Sequence, residues 1–218
     1  LKDESLEIRD KATFNTKKQT IHTNTHSLIH LFTLSLMLSE FRKRKVKRIF
    51  EFYDVNGNGV IETSDIDAIA DRFCTEYGWA KGGEIDVAFR ASFHGLWSQL
   101  ITAADVNKDN KVSLDEFYAN YAVTIKDYQA FHKYIYPFFP GFFPVLDTDG
   151  DQDLSFDEFS RFYRGFRNTD AQAQVVFPLL DFDNNGVITR DEFFLAFYLF
   201  HMEEDENHPS KYFFGDLK

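Results

Sequence analysis

The sequence predicts an all-α protein, in which four helix–loop–helix units join two by two and pack into one compact body. Three observations predict it. Four twelve-residue stretches, starting at Asp54, Asp105, Asp147 and Asp181, carry acidic or amide residues at alternating positions and end on an acid. Apolar residues flank each stretch at helical spacing. An aliphatic residue holds the eighth position every time: Ile61, Val112, Leu154 and Ile188.

Each element follows from these in turn. Four and one positions before the loops stand Phe50 and Tyr53, Ile101 and Ala104, Phe143 and Leu146, and Phe177 and Leu180. That three-residue spacing puts each pair on one face of an incoming helix, turned toward a core. Ile66/Ile69/Phe73, Phe117/Tyr121, Phe159/Phe162/Tyr163 and Phe193/Phe197/Phe200 continue the same face in outgoing helices. Eight helices around four loops result. The aliphatic eighth residues suit short antiparallel bridges between paired loops. Residues 77–84 read as an inserted connection, with Gly82-Gly83 as a turn signal. Pro144 and Pro178, three residues before a loop, predict short or kinked incoming helices. The chain divides into an N-terminal extension (1–36), a first pair (37–123), a second pair (124–205) and a tail (206–218) packed on the body. Tyr212, Phe213, Phe214 and Leu217 are too apolar to stay exposed, so residues 210–218 are expected to dock between the lobes.

Alternating oxygens are what a hard divalent cation requires. Ca²⁺ takes roughly six to eight, from side chains at loop positions one, three, five and twelve and a backbone carbonyl at seven. The pattern is that of an EF-hand loop. The fourth loop offers the full set: Asp181, Asp183, Asn185, the Val187 carbonyl and Glu192, with Gly186 at the turn. The first offers Asp54, Asn56, Asn58 and the Val60 carbonyl, with Glu62 at the ninth position, but closes on Asp65. Aspartate is one methylene shorter and favours six-coordinate, Mg²⁺-tolerant binding. The second offers Asp105, Asn107, Asp109, the Lys111 carbonyl and Glu116, with Asn110 where glycine is usual. The third offers Asp147, Asp149, Asp151, Asp153 at the seventh position and Glu158, with Gln152 in place of the glycine. Three to four Ca²⁺ ions are expected, with Mg²⁺ competing best at the first site. The alternative is a degenerate loop kept only as a paired scaffold.

Composition narrows the function. With 44% hydrophobic residues in 218, the chain is globular. A formal charge of −11 argues against a nucleic-acid partner; much of it sits in the loops, where cations can neutralise it. Cys74 is the only cysteine, so no internal disulfide forms, which favours a reducing, cytoplasmic compartment; a buried thiol is expected there. The apolar run 28–38 is too short to span a membrane, lacks a small-x-small cleavage site, and gives no stable insertion. Residues 1–36, with His22, His26 and His30, are either upstream or cloned sequence before a natural start at Met37, or an N-terminal helix on the first lobe. The basic run 42–48 reads as the solvated face of the first helix, against a nuclear signal or a grip on anionic lipid. The histidines at 94, 132, 201 and 208 have no metal spacing, and no Ser/His/Asp or Cys/His set supports an enzyme.

FRKRKVKRIFEFYDVNGNGVIETSD (41–65), the insert with Trp79 and the closing KYFFGDLK (211–218) resemble invertebrate sarcoplasmic calcium-binding proteins, particularly the calexcitin branch. The resemblance runs from about residue 40 to the end. It implies two EF-hand pairs folded face to face in a cytosolic protein of muscle or neurons. Calexcitin-like proteins often have a degenerate fourth hand, whereas 181–192 is the fullest loop here. Three readings of function compete. The first is a monomeric Ca²⁺ buffer with its apolar faces inward. The second is a sensor that grips a protein target, although Met37 and Met202 beside 26 Phe do not make a Met-rich groove. The third is a relative of coelenterazine-binding photoproteins, whose cavities are lined with His, Trp and Tyr. It ranks last, because only Trp79 and Trp97 are available and no terminal proline is present.

Overall fold

The computed structural model describes residue 33 and residues 38–217, without the side chains of 138–141. The readings of residues 1–37 therefore lie outside the described residues, residue 33 apart. Helix α1 (Glu40–Tyr53) opens on Ser39, whose Oγ accepts from the Arg42 amide at 3.1 Å. The first loop leads into α2 (Thr63–Tyr77), and the expected connection brings the chain to α3 (Glu84–Ala104). The second loop precedes α4 (Leu114–Thr124). The second half holds α5 (Tyr128–Tyr134), a 3₁₀ turn (Tyr136–Phe138), α6 (Phe139–Leu146) and α7 (Phe156–Gly165) around the third loop. Helices α8 (Asp170–Leu180) and α9 (Arg190–Met202) flank the fourth.

The described residues thus hold nine helices, not eight. The extra break has a cause in the sequence. Proline has no amide to donate, so Pro137, in the 3₁₀ turn, and Pro140, in the first turn of α6, keep one helix from running through residues 128–146, while Pro144 is carried inside α6. Asp127 starts α5, its Oδ1 accepting from the Ala130 amide at 2.8 Å, and the chain then tightens into the 3₁₀ turn. Pro178 is carried inside α8 in the same way.

The loop bridges form where expected. Strand β1 (Val60–Ile61) pairs antiparallel with β2 (Val112–Ser113), and β3 (Asp153–Leu154) with β4 (Ile188–Thr189). Ile61 lies opposite Val112 and Leu154 opposite Ile188, all four fully buried. Most of the face residues are buried too; Tyr53, Ile101 and Phe197 are half-buried and pack against the same core.

One apolar core runs through both lobes. At its seam α2 meets α7, where the Phe73 ring lies on the backbone of Gly165. A Cβ there would come within 2.6 Å of the ring, so glycine alone allows this approach. Polar contacts follow the same seam: Arg72 donates to the Gly165 carbonyl at 3.1 Å, and Arg164 pairs with Glu76 at 2.7 Å. Cys74 is buried as expected, its Sγ donating to Asp86 at 2.8 Å.

The basic run departs from its reading as a solvated face. Lys45 and Arg48 are buried. Lys45 donates to the Glu203 carbonyl at 2.6 Å, and burial pushes its ammonium down to about 8. Arg48 reaches the Phe166 carbonyl at 2.8 Å and Asn168 Oδ1 at 3.1 Å. Arg42 and Arg44, nearer the surface, pair with Glu204 and Glu206, both at 2.5 Å. The run clasps the segment after α9.

The tail packs against the second lobe and reaches α1 of the first, where Gly215 lies beside the Arg48 guanidinium. Phe213 is 1% exposed and lies 4.9 Å from the Phe193 ring and 5.6 Å from Phe162. Phe214 lies 4.8 Å from both Phe166 and Phe200. Tyr163 Oη donates to the Tyr212 carbonyl at 2.7 Å, and Asn168 Nδ2 to that of Phe214 at 3.2 Å. Truncating a buried phenylalanine removes its transfer free energy and leaves a cavity, so Phe213→Ala should cost about 3–5 kcal/mol in denaturant unfolding. A loss below about 1 kcal/mol would show that the tail is not anchored.

Candidate metal centres

Each loop is organised by its own side chains. The first residue of a loop folds its carboxylate back onto amides four and five residues on in the first, second and fourth loops, and three and five on in the third. Asp54 accepts from Asn58 at 3.0 Å and Gly59 at 2.9 Å, and Asp181 from Asn185 at 3.0 Å and Gly186 at 2.9 Å. Asp105 accepts from Asp109 at 3.2 Å and Asn110 at 3.0 Å; Asp147 accepts from Gly150 at 2.7 Å and Gln152 at 3.0 Å. The third residue then accepts from the fifth residue's amide: Asn56 from Asn58, Asn107 from Asp109, Asp149 from Asp151, and Asp183 from Asn185. The fifth accepts from the seventh. Val60 donates to Asn58, Lys111 to Asp109, Asp153 to Asp151 and Val187 to Asn185, at 2.9–3.0 Å.

The closing acid locks the far end. Glu116 accepts from the amides of Val106 at 3.1 Å and Ser113 at 2.9 Å; Glu192 accepts from Phe182 at 2.8 Å and Thr189 at 2.9 Å. Glu158 spans Thr148 and Ser155 in the same way. These glutamates are also the third residues of the outgoing helices, in capping boxes with Ser113, Ser155 and Thr189. Asp65 does the same work with a shorter arm, accepting from Val55 at 3.1 Å and Glu62 at 3.0 Å while almost fully buried. Burial pushes its carboxyl up against the pull of those amides.

The sixth position behaves as its substitutions require. Gly59 and Gly186 take positive φ, and so do Asn110 (φ 62°) and Gln152 (φ 74°). The structure draws together Asp147, Asp149 and Asp151, and separately Asp181, Asp183 and Glu192, with one carboxylate oxygen of each within 4.8 Å of the others. Glu158 stands outside the third-loop cluster. In the first two loops Asn56, Asn58 and Asn107 supply amide oxygens in place of carboxylates. Burial, followed by repulsion from Asp151 and Asp147, holds Asp153 above the usual carboxylate range. Such crowding of acids is what a divalent cation relieves.

Two contacts had no sequence signal. Lys111 Nζ, on the second loop, pairs at 3.0 Å with Glu62 of the first, and Asn58 Nδ2 donates to the same carboxylate at 3.1 Å. The Lys111 hydrogen bond and charge, with a smaller part from Asn58, hold Glu62 below its ordinary value. Thr148 Oγ1 donates to Glu158 at 2.7 Å. Both arise across a bridge or a loop closure, so neither is visible in local spacing.

Comparison with known proteins agrees with this geometry. Family models described as an EF-hand domain pair match residues 43–122 and 150–198. Sarcoplasmic calcium-binding proteins II, V, VI and VII of Branchiostoma lanceolatum are 28% identical, over 71% of this chain and 84% of theirs. The luciferin-binding protein of Renilla reniformis is 30% identical, over 81% of this chain and 95% of its own. The crystal structure of an amphioxus sarcoplasmic calcium-binding protein shares the fold, with a TM-score of 0.65 at 22% identity, covering 82% of this chain and 98% of that one.

The left-handed backbone at Gln152 gives a direct test of loop strain. A side chain there costs roughly 1–2 kcal/mol that glycine avoids. Gln152→Gly should therefore stabilise the calcium-free protein by about 0.5–1 kcal/mol, read as a higher melting temperature in chelator. A lower melting temperature would show that the Gln152 side chain contributes more than its backbone costs.

Proposed function

This chain belongs to the EF-hand family of calcium-binding proteins and is related to the sarcoplasmic calcium-binding proteins, and from that premise we propose that it is a Ca²⁺ buffer. The carrying observation is that four loops with near-complete ligand sets surround a shared core whose apolar faces are turned inward and closed by the tail. Three to four Ca²⁺ ions bind per chain. Their ligands are Asp54, Asn56, Asn58, Val60 and Asp65; Asp105, Asn107, Asp109, Lys111 and Glu116; Asp147, Asp149, Asp151, Asp153 and Glu158; and Asp181, Asp183, Asn185, Val187 and Glu192. Val60, Lys111, Asp153 and Val187 serve through their carbonyls. The first site, closed by the short Asp65, tolerates Mg²⁺ best. Residues 37–123 and 124–205 act as the two lobes, in an intracellular monomer.

A sensor would need to expose an apolar surface on loading, and the aromatic packing of Phe213 and Phe214 opposes that. The third reading, kinship in activity with coelenterazine-binding photoproteins, gains support from the similarity to the luciferin-binding protein of Renilla reniformis and from a cavity of about 980 Å³ whose wall includes Tyr53, Tyr77, Trp79, Trp97, Tyr121 and His201. No helix among the described residues is long and apolar enough to cross a membrane.

Calorimetric titration of chelator-stripped protein should find three or four Ca²⁺ ions, with Mg²⁺ displacing Ca²⁺ most readily at one site; two ions or fewer would refute the ligand assignment. Hydrogen exchange on the same samples separates buffer from sensor. Slow exchange at the Phe213 and Gly215 amides in Ca²⁺ marks a buffer, and fast exchange there marks a sensor.

A further inference from the structure

The first loop differs from the other three at its ninth position. Ser113, Ser155 and Thr189 hold that place in the second, third and fourth loops, and each hydroxyl donates to the closing glutamate at 2.7–2.8 Å. The first loop has Glu62 there instead. A carboxylate cannot donate to Asp65, and Glu62 turns to other partners. Its Oε1 accepts from Asn58 Nδ2 at 3.1 Å, which keeps it beside the ligand set, and its Oε2 faces the Lys111 ammonium at 3.0 Å.

Strand register explains the partner. Val60 lies opposite Ser113 and Ile61 opposite Val112, so the next pair along the two chains is Glu62 and Lys111. In the second lobe the same register sets Ser155 opposite Val187, a pair without charge. Lys111 therefore serves two loops. Its carbonyl stands at the seventh position of the second, and its ammonium meets a carboxylate of the first. Charge decides what this does. Ligand-position side chains bring three carboxylates to the second loop, four to the third and three to the fourth, but only Asp54 and Asp65 to the first. Glu62 would bring the first loop level with the second and fourth, and Lys111 offsets it.

We propose that Lys111 sets the strength of the first site: it is a tethered ammonium that neutralises Glu62 and keeps that loop's hold on a divalent cation weak. The inference rests on the reading of residues 54–65 as a divalent-cation site, for which their carboxylate and amide oxygens are a fitting hard-donor set. In that reading Asp65 discriminates between Ca²⁺ and Mg²⁺ by its reach. Lys111 acts by charge and treats the two ions alike. Both partners are partly exposed, so the pair adds little to folding and its effect falls on binding.

Competition titrations against a chromophoric chelator test this on the full chain, with the Gly59 amide resonance marking the filling of the first loop. Lys111→Met keeps the stem and removes the charge. It should tighten Ca²⁺ and Mg²⁺ there by the same factor, roughly fivefold to tenfold, and by less at high salt. Lys111→Arg should change neither. Glu62→Gln, which leaves the ammonium uncompensated, should weaken both. Lys111→Met should also widen the gap between the melting temperatures in Ca²⁺ and in chelator. A strut that merely braces the loop would lower both alike and leave the gap. Unchanged or weaker binding in Lys111→Met overturns the inference. A Gly59 resonance indifferent to Ca²⁺ in the unsubstituted chain overturns the reading of the first loop itself, and the inference with it.

Discussion

Each loop must hold several oxygens of like polarity around a point one cation wide, against their mutual repulsion. The chain meets this constraint with its own amides. First-position carboxylates bind amides four and five residues on in the first, second and fourth loops, and the closing acid ties the second residue to the ninth. The closing acid also caps the outgoing helix, so loop shape and helix start are set by one side chain. The register of the β-bridges follows, because the residue after each seventh position is held opposite its counterpart. Cation binding completes an arrangement that backbone hydrogen bonds have already drawn.

From the bridges outward, packing takes over. Ile61, Val112, Leu154 and Ile188 start a core that continues through the faces of the flanking helices. The lobes are joined where Phe73 meets Gly165 and Phe52 stacks on Phe166 at 4.1 Å. Basic residues of α1 fasten the segment after α9, and the tail aromatics fill the space beside it. The same aromatic packing leaves a cavity whose histidine is kept neutral by burial.

What could be read from the sequence was local. Ligand spacing, the aliphatic bridge residues and the left-handed sixth positions all depend on neighbours within a dozen residues. What could not be read depended on distant partners. Lys45 and Arg48 look like surface charges until Glu203, Phe166 and Asn168 fold onto them. The break after α5 was half legible: the prolines announced short helices, but not that the chain would add a separate one. The Lys111–Glu62 pair exists only because two loops lie side by side. The cavity was underestimated for the same reason. Counting tryptophans missed Tyr53, Tyr77, Tyr121 and His201, which four different helices bring to its wall.

The central claim is that this fold is built around cations held by its loops. Its most direct test is thermal melting at constant ionic strength, from excess chelator up to about millimolar free Ca²⁺. An ion that binds only the folded chain stabilises it by about 2.7 kcal/mol per site at a hundredfold excess over its dissociation constant. The account predicts a melting temperature that climbs steeply with the logarithm of free Ca²⁺, at a slope requiring at least three ions. A melting temperature indifferent to calcium across that range would contradict it.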